Sequence, residues 1–256
     1  MKLQIESRTH NGFTLVELLV VVAIIAILAT LVVSGSIAAI ISARNAAITF
    51  EIADLEAAVT SVSLQGTPPD GSSGIATIAS HLQRITRRDP TTDTPMGIDI
   101  QTGDRIPADL NDLGPAETLH FWLSGFGSDP LHPLSDVNRQ RSSFDFDPLR
   151  LTDEDGDGWL EYKAKYCQKT PYVYFSNRTY DTATYSHHNG GIAKPYRSDV
   201  PLTAFAQQQT FQIIAAGQDG DFGSGGGSFP SGANYSSADH DNVTNFSGGT
   251  LADQIP

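Results

Sequence analysis

The sequence predicts an α+β protein. A long N-terminal helix, apolar in its first half and amphipathic in its second, is expected to pack on a small antiparallel sheet with large loop insertions. Three observations predict this. Residues 13–33 form one apolar run long enough to cross a bilayer. The run passes without a proline into a second helical pattern that lasts to about residue 65. Beyond residue 66 the chain is rich in Gly, Pro and Asp, and it carries only a few short aromatic and β-branched runs.

Composition narrows the function. The 256 residues include 29 acidic and 16 basic side chains, a formal charge of −13. A phosphate backbone would be repelled overall, so no nucleic-acid partner is expected. Cation binding suits the balance better. The one cysteine, Cys167, excludes an intrachain disulfide and a Cys-based zinc cluster.

Phe13 to Val33 reads FTLVELLVVVAIIAILATLVV, and only Thr14, Glu17 and Thr30 are not apolar. As a helix it would be roughly 32 Å long, against a hydrocarbon core of about 30 Å. Lys2 and Arg8 precede it, which places the N-terminus in the cytoplasm and the rest of the chain outside. The alternative is a secretory signal peptide. Its apolar region would be shorter and would end in a small-residue cleavage site. Here Ser34-Gly35-Ser36 leads directly into more helical sequence. Glu17 is an acid inside the apolar run, an expensive placement that calls for a positive partner.

Gly12-Phe13-Thr14-Leu15-Val16-Glu17-Leu18-Leu19-Val20 resembles the class III signal of type IV pilins and type II secretion pseudopilins. The resemblance implies residues 1–12 as a leader, cleaved between Gly12 and Phe13 by a prepilin peptidase that then methylates the new amine. It implies a transmembrane segment over 13–33 and a periplasmic or extracellular head over 66–256. It also implies that Glu17 neutralises the amine of a neighbouring subunit during assembly. An amine and a carboxylate held together in lipid gain most by pairing with each other. Removing 12 residues with two basic and one acidic side chain leaves 244 residues at a charge of −14. The implied partners are other pilin-like subunits, the inner-membrane assembly platform and membrane lipid.

From Ile37 to Gln65 the apolar positions Ile41, Ile48, Ile52, Leu55, Val59 and Val62 recur at helical spacings. Arg44, Asn45, Glu51, Asp54 and Glu56 lie between them. Gly66-Thr67-Pro68-Pro69-Asp70-Gly71 is a stop signal, so one helix is expected from Phe13 to about Gln65. Gly35 is a point where it could loosen. In the middle of the chain, short helices are expected at Ile75 to Arg87 and Glu117 to Phe126, with loop elsewhere in 67–110 and in 127–148. His120 and Trp122 read as packing residues. Strands are expected at Trp159–Tyr162, Tyr172–Phe175 and Phe211–Ala216, together forming the sheet that covers the helix.

Two acidic loops are the candidate metal sites. In Asp153-Glu154-Asp155-Gly156-Asp157-Gly158-Trp159-Leu160-Glu161, aspartates at alternate positions resemble the start of an EF-hand loop. Asp153, Asp155, Asp157 and Glu161 offer carboxylates and Trp159 a carbonyl. The twelfth position is Ala164 rather than Glu, which points to a shorter calcium loop or to a solvated turn. The second loop, Gly217-Gln218-Asp219-Gly220-Asp221-Phe222-Gly223 with Asp239-His240-Asp241, resembles the C-terminal calcium loop of major pseudopilins. By that resemblance Asp219, Asp239 and Asp241 are the ligands, with Asp221 a weaker one. A disordered Gly/Ser tail is the alternative. Many type IV pilins close this region with a disulfide, which a single cysteine forbids.

No Gly-x-Ser-x-Gly, His-Glu-x-x-His, P-loop or dinucleotide fingerprint occurs, so no enzymatic activity is expected. His187-His188 reads as an exposed turn, and 180–196 shows no regular pattern. The expected function is a structural subunit of a type II secretion pseudopilus. The alternative is a type IV surface or DNA-uptake pilin with a binding head.

Overall fold

Helix α1 spans Leu15–Val62 and ends in a 3-10 turn, Ser63–Gln65, where Gly66 takes φ +101°. The computed structural model describes residues 14–86, 94–127, 132–134, 142–167, 169–201 and 204–256. Phe13 and Arg87 lie outside them. The chain divides into two compact units, Met1–Ala43 and Arg44–Pro256.

In the first unit, the described apolar side chains between Leu15 and Val33 are exposed on every side of the helix. Polar groups in this stretch turn back on the backbone. Thr30 Oγ1 donates to Ile27 O at 2.8 Å, and Ser36 Oγ donates to Val32 O at 2.8 Å. Such internal satisfaction is what a lipid-facing helix requires. Among the described residues α1 is the one helix long and apolar enough to cross a membrane. The span that qualifies by length and composition is Ser36–Val62, with Leu15–Thr30 a shorter apolar stretch ahead of it. Residues from Arg44 onward carry charges and bury one side in the head, so they are poor membrane residues.

The head follows as α2 (Ile75–Thr86), a hairpin of β1 (Met96–Ile98) and β2 (Arg105–Pro107), and α3 (Thr118–Leu123). Next come β3 (Leu151–Thr152), β4 (Glu161–Tyr162), β5 (Val173–Ser176), β6 (Tyr185–Ser186), β7 (Ile192–Ala193) and β8 (Arg197–Ser198). The chain closes with β9 (Phe211–Ala215), β10 (Ser228–Phe229) and β11 (Val243–Thr244). The main sheet has order β11-β9-β5 and is antiparallel, with Val173 opposite Ile214, Ser176 opposite Phe211, and Val243 opposite Ala215.

Alternation along the strands builds two cores. Tyr172, Tyr174, Phe211, Ile213, Ala215 and Val243 face Ile48, Ile52, Leu55 and Val59 of α1. Val173, Phe175 and Ile214 face the other way, onto Tyr180, Tyr196, Phe222 and Leu251. Burial on both faces is why β5 and β9 are apolar apart from Ser176 and Gln212, whose buried amide pairs with the backbone of Tyr196 and Ala206. A third core joins Ile78 and Leu82 of α2 to Phe121 and Trp122 of α3 and to Trp159. It gives the middle of the chain its own apolar support.

The helix and its stripe agree with the sequence; several local expectations do not. Glu161–Tyr162 does not join the main sheet. It pairs with β3 in a separate ribbon, and β11 supplies the third strand. The two-residue β11 is too short to register as a periodic pattern. The expected helix over Glu117 to Phe126 is one and a half turns, Thr118–Leu123, because Gly125 takes φ +81° just beyond it. The loop expected within 67–110 contains the β1–β2 hairpin, and 180–196 contains the β6–β7 ribbon. His187 is buried rather than exposed, while His188 is exposed.

Gly97 in β1 packs against the backbone of Gly158. Ile98 N donates to Gly158 O at 2.9 Å, and a Cβ at Gly97 would collide with that carbonyl. Gly97→Ala is therefore expected to cost about 1–3 kcal/mol in a denaturant melt, in the range for overpacking. Gly103→Ala, at the open hairpin turn with φ +74°, meets no atom within 4 Å and isolates the backbone-conformation cost as a control. Equal losses for both variants would refute the close approach.

Candidate functional site

At the N-terminus of α1, Thr14 and Glu17 form a reciprocal cap. Glu17 Oε2 accepts from Thr14 N at 2.9 Å and from Thr14 Oγ1 at 2.9 Å, while Thr14 Oγ1 accepts from Glu17 N at 3.2 Å. The single acid of the apolar stretch thus sits at the positive end of the helix dipole. Gly12 and Phe13, where processing is expected, lie outside the described residues.

The first acidic loop, residues 153–160, is the connection of the β3–β4 hairpin, whose register pairs Thr152 with Glu161. Its aspartates fold the backbone. Asp153 accepts from Gly156 N at 2.8 Å and from Gly158 N at 3.1 Å. Asp157 Oδ1 accepts from Trp159 N at 2.7 Å, and Asp155 Oδ1 accepts from Asp157 N at 3.4 Å. Gly158, at φ +89°, permits the sharp reversal. Trp159 anchors the loop through its indole, which donates to Asp109 O at 2.8 Å and packs edge-on to Phe121.

The carboxylates that converge are Asp155, Asp157 and Glu117, with ligand atoms all within 4.8 Å of one another. Glu117 precedes α3 and is only 4% exposed. Its carboxylate accepts from Gly114 N and ion-pairs with no basic residue among the described residues. Asp157 Oδ2 is buried without a hydrogen-bond partner. Burial, reinforced by Asp157, Asp155 and Glu161, pushes Glu117 up to about 9. Burial and the charges of Asp155, Asp153 and Asp112 push Asp157 up to about 7. Glu161 is pushed to about 8 by burial and then by Glu154 and Asp155. This donor set is all oxygen and strongly anionic, and it fits a hard cation such as calcium.

The structure therefore brings Asp155 and Asp157 together and adds Glu117. Asp153 is occupied by the loop backbone, and Glu161 Oε2 accepts from Glu154 N at 3.3 Å. Glu117 escaped sequence reading because it lies 38 residues upstream of Asp155. The usable signal was an acid at the head of an otherwise apolar helix.

The second loop is arranged differently. Asp239 is fully buried, and its carboxylate is filled by donors. Oδ1 accepts from Tyr196 Oη at 2.9 Å, and Oδ2 accepts from Ser236 N at 2.7 Å, Ser236 Oγ at 2.6 Å and Ser224 N at 3.3 Å. Asp241 Oδ2 accepts from Gln218 N at 2.8 Å and Asp219 N at 3.1 Å. Asp219 Oδ1 accepts from Asp221 N at 2.8 Å. Two sets of three side chains cluster within 4.8 Å among the described residues, and neither contains Asp219, Asp239 or Asp241. Asp241 Oδ1 is buried without a hydrogen-bond partner, so hydrogen bonds within the protein do not use up every carboxylate oxygen of this glycine-rich segment. Cys167 is buried, with Sγ 3.3 Å from Thr170 Oγ1.

Against known proteins, residues 7–33 match the prokaryotic N-terminal methylation motif. No curated protein and no solved structure matches the chain. The motif supports a type IV pilin-like protein. The α+β arrangement, a long N-terminal apolar helix with small antiparallel sheets, is consistent with a pilin-like fold. The apolar helix that follows the motif is compatible with single-pass membrane anchoring.

Proposed function

We propose that this chain is a structural subunit of a type II secretion pseudopilus. A prepilin peptidase cuts between Gly12 and Phe13 and methylates Phe13. The head lies in the periplasm, and the subunit then leaves the inner membrane to join a filament through α1. Its role is to polymerise with other pilin-like subunits on an inner-membrane assembly platform, not to catalyse. The observation that carries the reading is the methylation motif running directly into a capped helix whose one acid within Leu15–Val33 is Glu17. The single buried cysteine favours the secretion branch, since no disulfide can close the C-terminal region. Calcium, held by Asp155, Asp157 and Glu117, would neutralise the acidic set of the head.

The test is the N-terminal mass of the protein from cells with and without the peptidase. The expected species begins at methylated Phe13 and appears only when the peptidase is present. An intact Met1, or a cut beyond Val33, would overturn the filament reading. Deletion of the chain should block protein secretion. Normal secretion with loss of surface fibres or of DNA uptake would instead favour a type IV pilus.

A further inference from the structure

Outside the acidic set, Glu154, His187 and His188 form a second cluster. Glu154 Oε2 lies 3.1 Å from His187 Nε2 and 3.7 Å from His188 Nδ1, and the three ligand atoms fall within 4.8 Å of one another. Glu154 belongs to the β3–β4 loop, but its side chain leaves the Asp155–Asp157 set to meet the β6–β7 turn. The His187 side chain is 3% exposed and that of His188 is 66% exposed.

We propose that Glu154, His187 and His188 form a site for a borderline divalent ion of the zinc class. In a tetrahedral site with metal–ligand bonds of about 2.0–2.1 Å, ligand atoms lie about 3.3 Å apart. The observed 3.1 and 3.7 Å straddle that spacing. Two imidazoles and one carboxylate suit zinc, nickel or copper, whereas calcium prefers oxygen throughout. The exposed side of His188 leaves a coordination position open to water.

The surroundings fix the ligands. A Cβ at Gly190 would lie 2.8 Å from His187 Nδ1, so the ring occupies space only a glycine leaves; without an ion that nitrogen accepts from Asn189 N at 3.3 Å. Lys163 Nζ holds Glu154 Oε1 at 2.9 Å, which leaves Oε2 for the ion. Two features weaken binding. The ion requires the His187 tautomer with Nε2 free, which gives up the long Asn189 bond, and the Lys163 charge stands beside the site.

The test is zinc titration of the full chain in detergent by calorimetry at pH 7, with excess calcium to fill the oxygen set. One saturable zinc site is expected. His188→Ala, an exposed and structurally mild change, should weaken it at least about tenfold, as should Glu154→Gln. His240→Ala should leave it unchanged. Absence of a zinc site under these conditions would overturn the proposal. Zinc binding indifferent to His188→Ala would do the same, leaving Glu154 as the hub of an ion pair only.

Discussion

Glu51→Ala is expected to lower the unfolding free energy of the head by about 3–5 kcal/mol, the range for removing one member of a buried ion pair. Glu51 lies on the outer edge of the α1 stripe and receives four donors. Arg150 Nη1 and Nη2 donate to its two oxygens at 2.6 and 2.7 Å. Tyr172 Oη donates at 2.6 Å and Tyr162 Oη at 3.3 Å. The side chains of Arg150 and Glu51 are 16% and 13% exposed, so water replaces little of what is lost. Truncation leaves a guanidinium and two phenols short of their acceptor at the seam between helix and sheet. Urea unfolding of the full chain in detergent, read by Trp122 and Trp159, measures the loss. Tyr172→Phe removes one donor only and should cost about 0.5–1.5 kcal/mol. A Glu51→Ala loss below that of Tyr172→Phe would show that the cluster does not fasten α1 to the head.

In chelator, the head is expected to lose stability as pH rises from about 5 to 9, and calcium is expected to suppress that loss. Glu117, Glu161 and Asp157 are raised to about 9, 8 and 7 in the folded head. Their ordinary values are near 4. Between the two limits the folded state binds more protons than the unfolded state, so stability falls with increasing pH. Below the ordinary carboxylate range the penalty disappears, because both states are protonated. A divalent ion at Glu117, Asp155 and Asp157 replaces the protons, so its stabilisation should be largest at the alkaline end. We expect a fall in Tm on the order of 10 °C in EGTA across this window, with most of it restored by millimolar calcium. Glu117→Gln keeps an acceptor for Gly114 N but removes one charge. It should flatten the pH dependence and abolish the calcium response. A calcium effect that is equal at pH 5.5 and 8.5, or absent, would remove the cation from the acidic set.

Glu51 was visible as a charge beside the apolar stripe, and the spacing of Ile48, Ile52, Leu55 and Val59 placed it near the edge of the buried face. Nothing local named Arg150, Tyr162 or Tyr172 as its partners, because they lie about 100 residues or more away. The same holds for Asn45, which accepts from Gln218 Nε2 at 2.7 Å, and for Glu56, which accepts from Asn245 Nδ2 at 3.2 Å. Asn45, Glu51 and Glu56 are therefore fasteners, whereas Arg44 and Asp54 are exposed.

The sequence by itself determined the methylation motif, the apolar and amphipathic halves of α1, the runs that became β5 and β9, and the crowding of acids in residues 153–161. Each of these is a periodicity or a spacing within one short segment, and local sterics, helical repeat and hydrophobicity act at that range. The tertiary structure decided which acids meet. It brought Glu117 to Asp155 and Asp157, filled Asp239 with hydroxyl and amide donors, and turned Glu154 toward two histidines. It also made β11 the third strand in place of Glu161–Tyr162. Those outcomes depend on how the separate cores pack and on which carboxylates find donors when buried. Long-range packing sets both, because an unpaired buried charge is costly wherever in the sequence its partner lies.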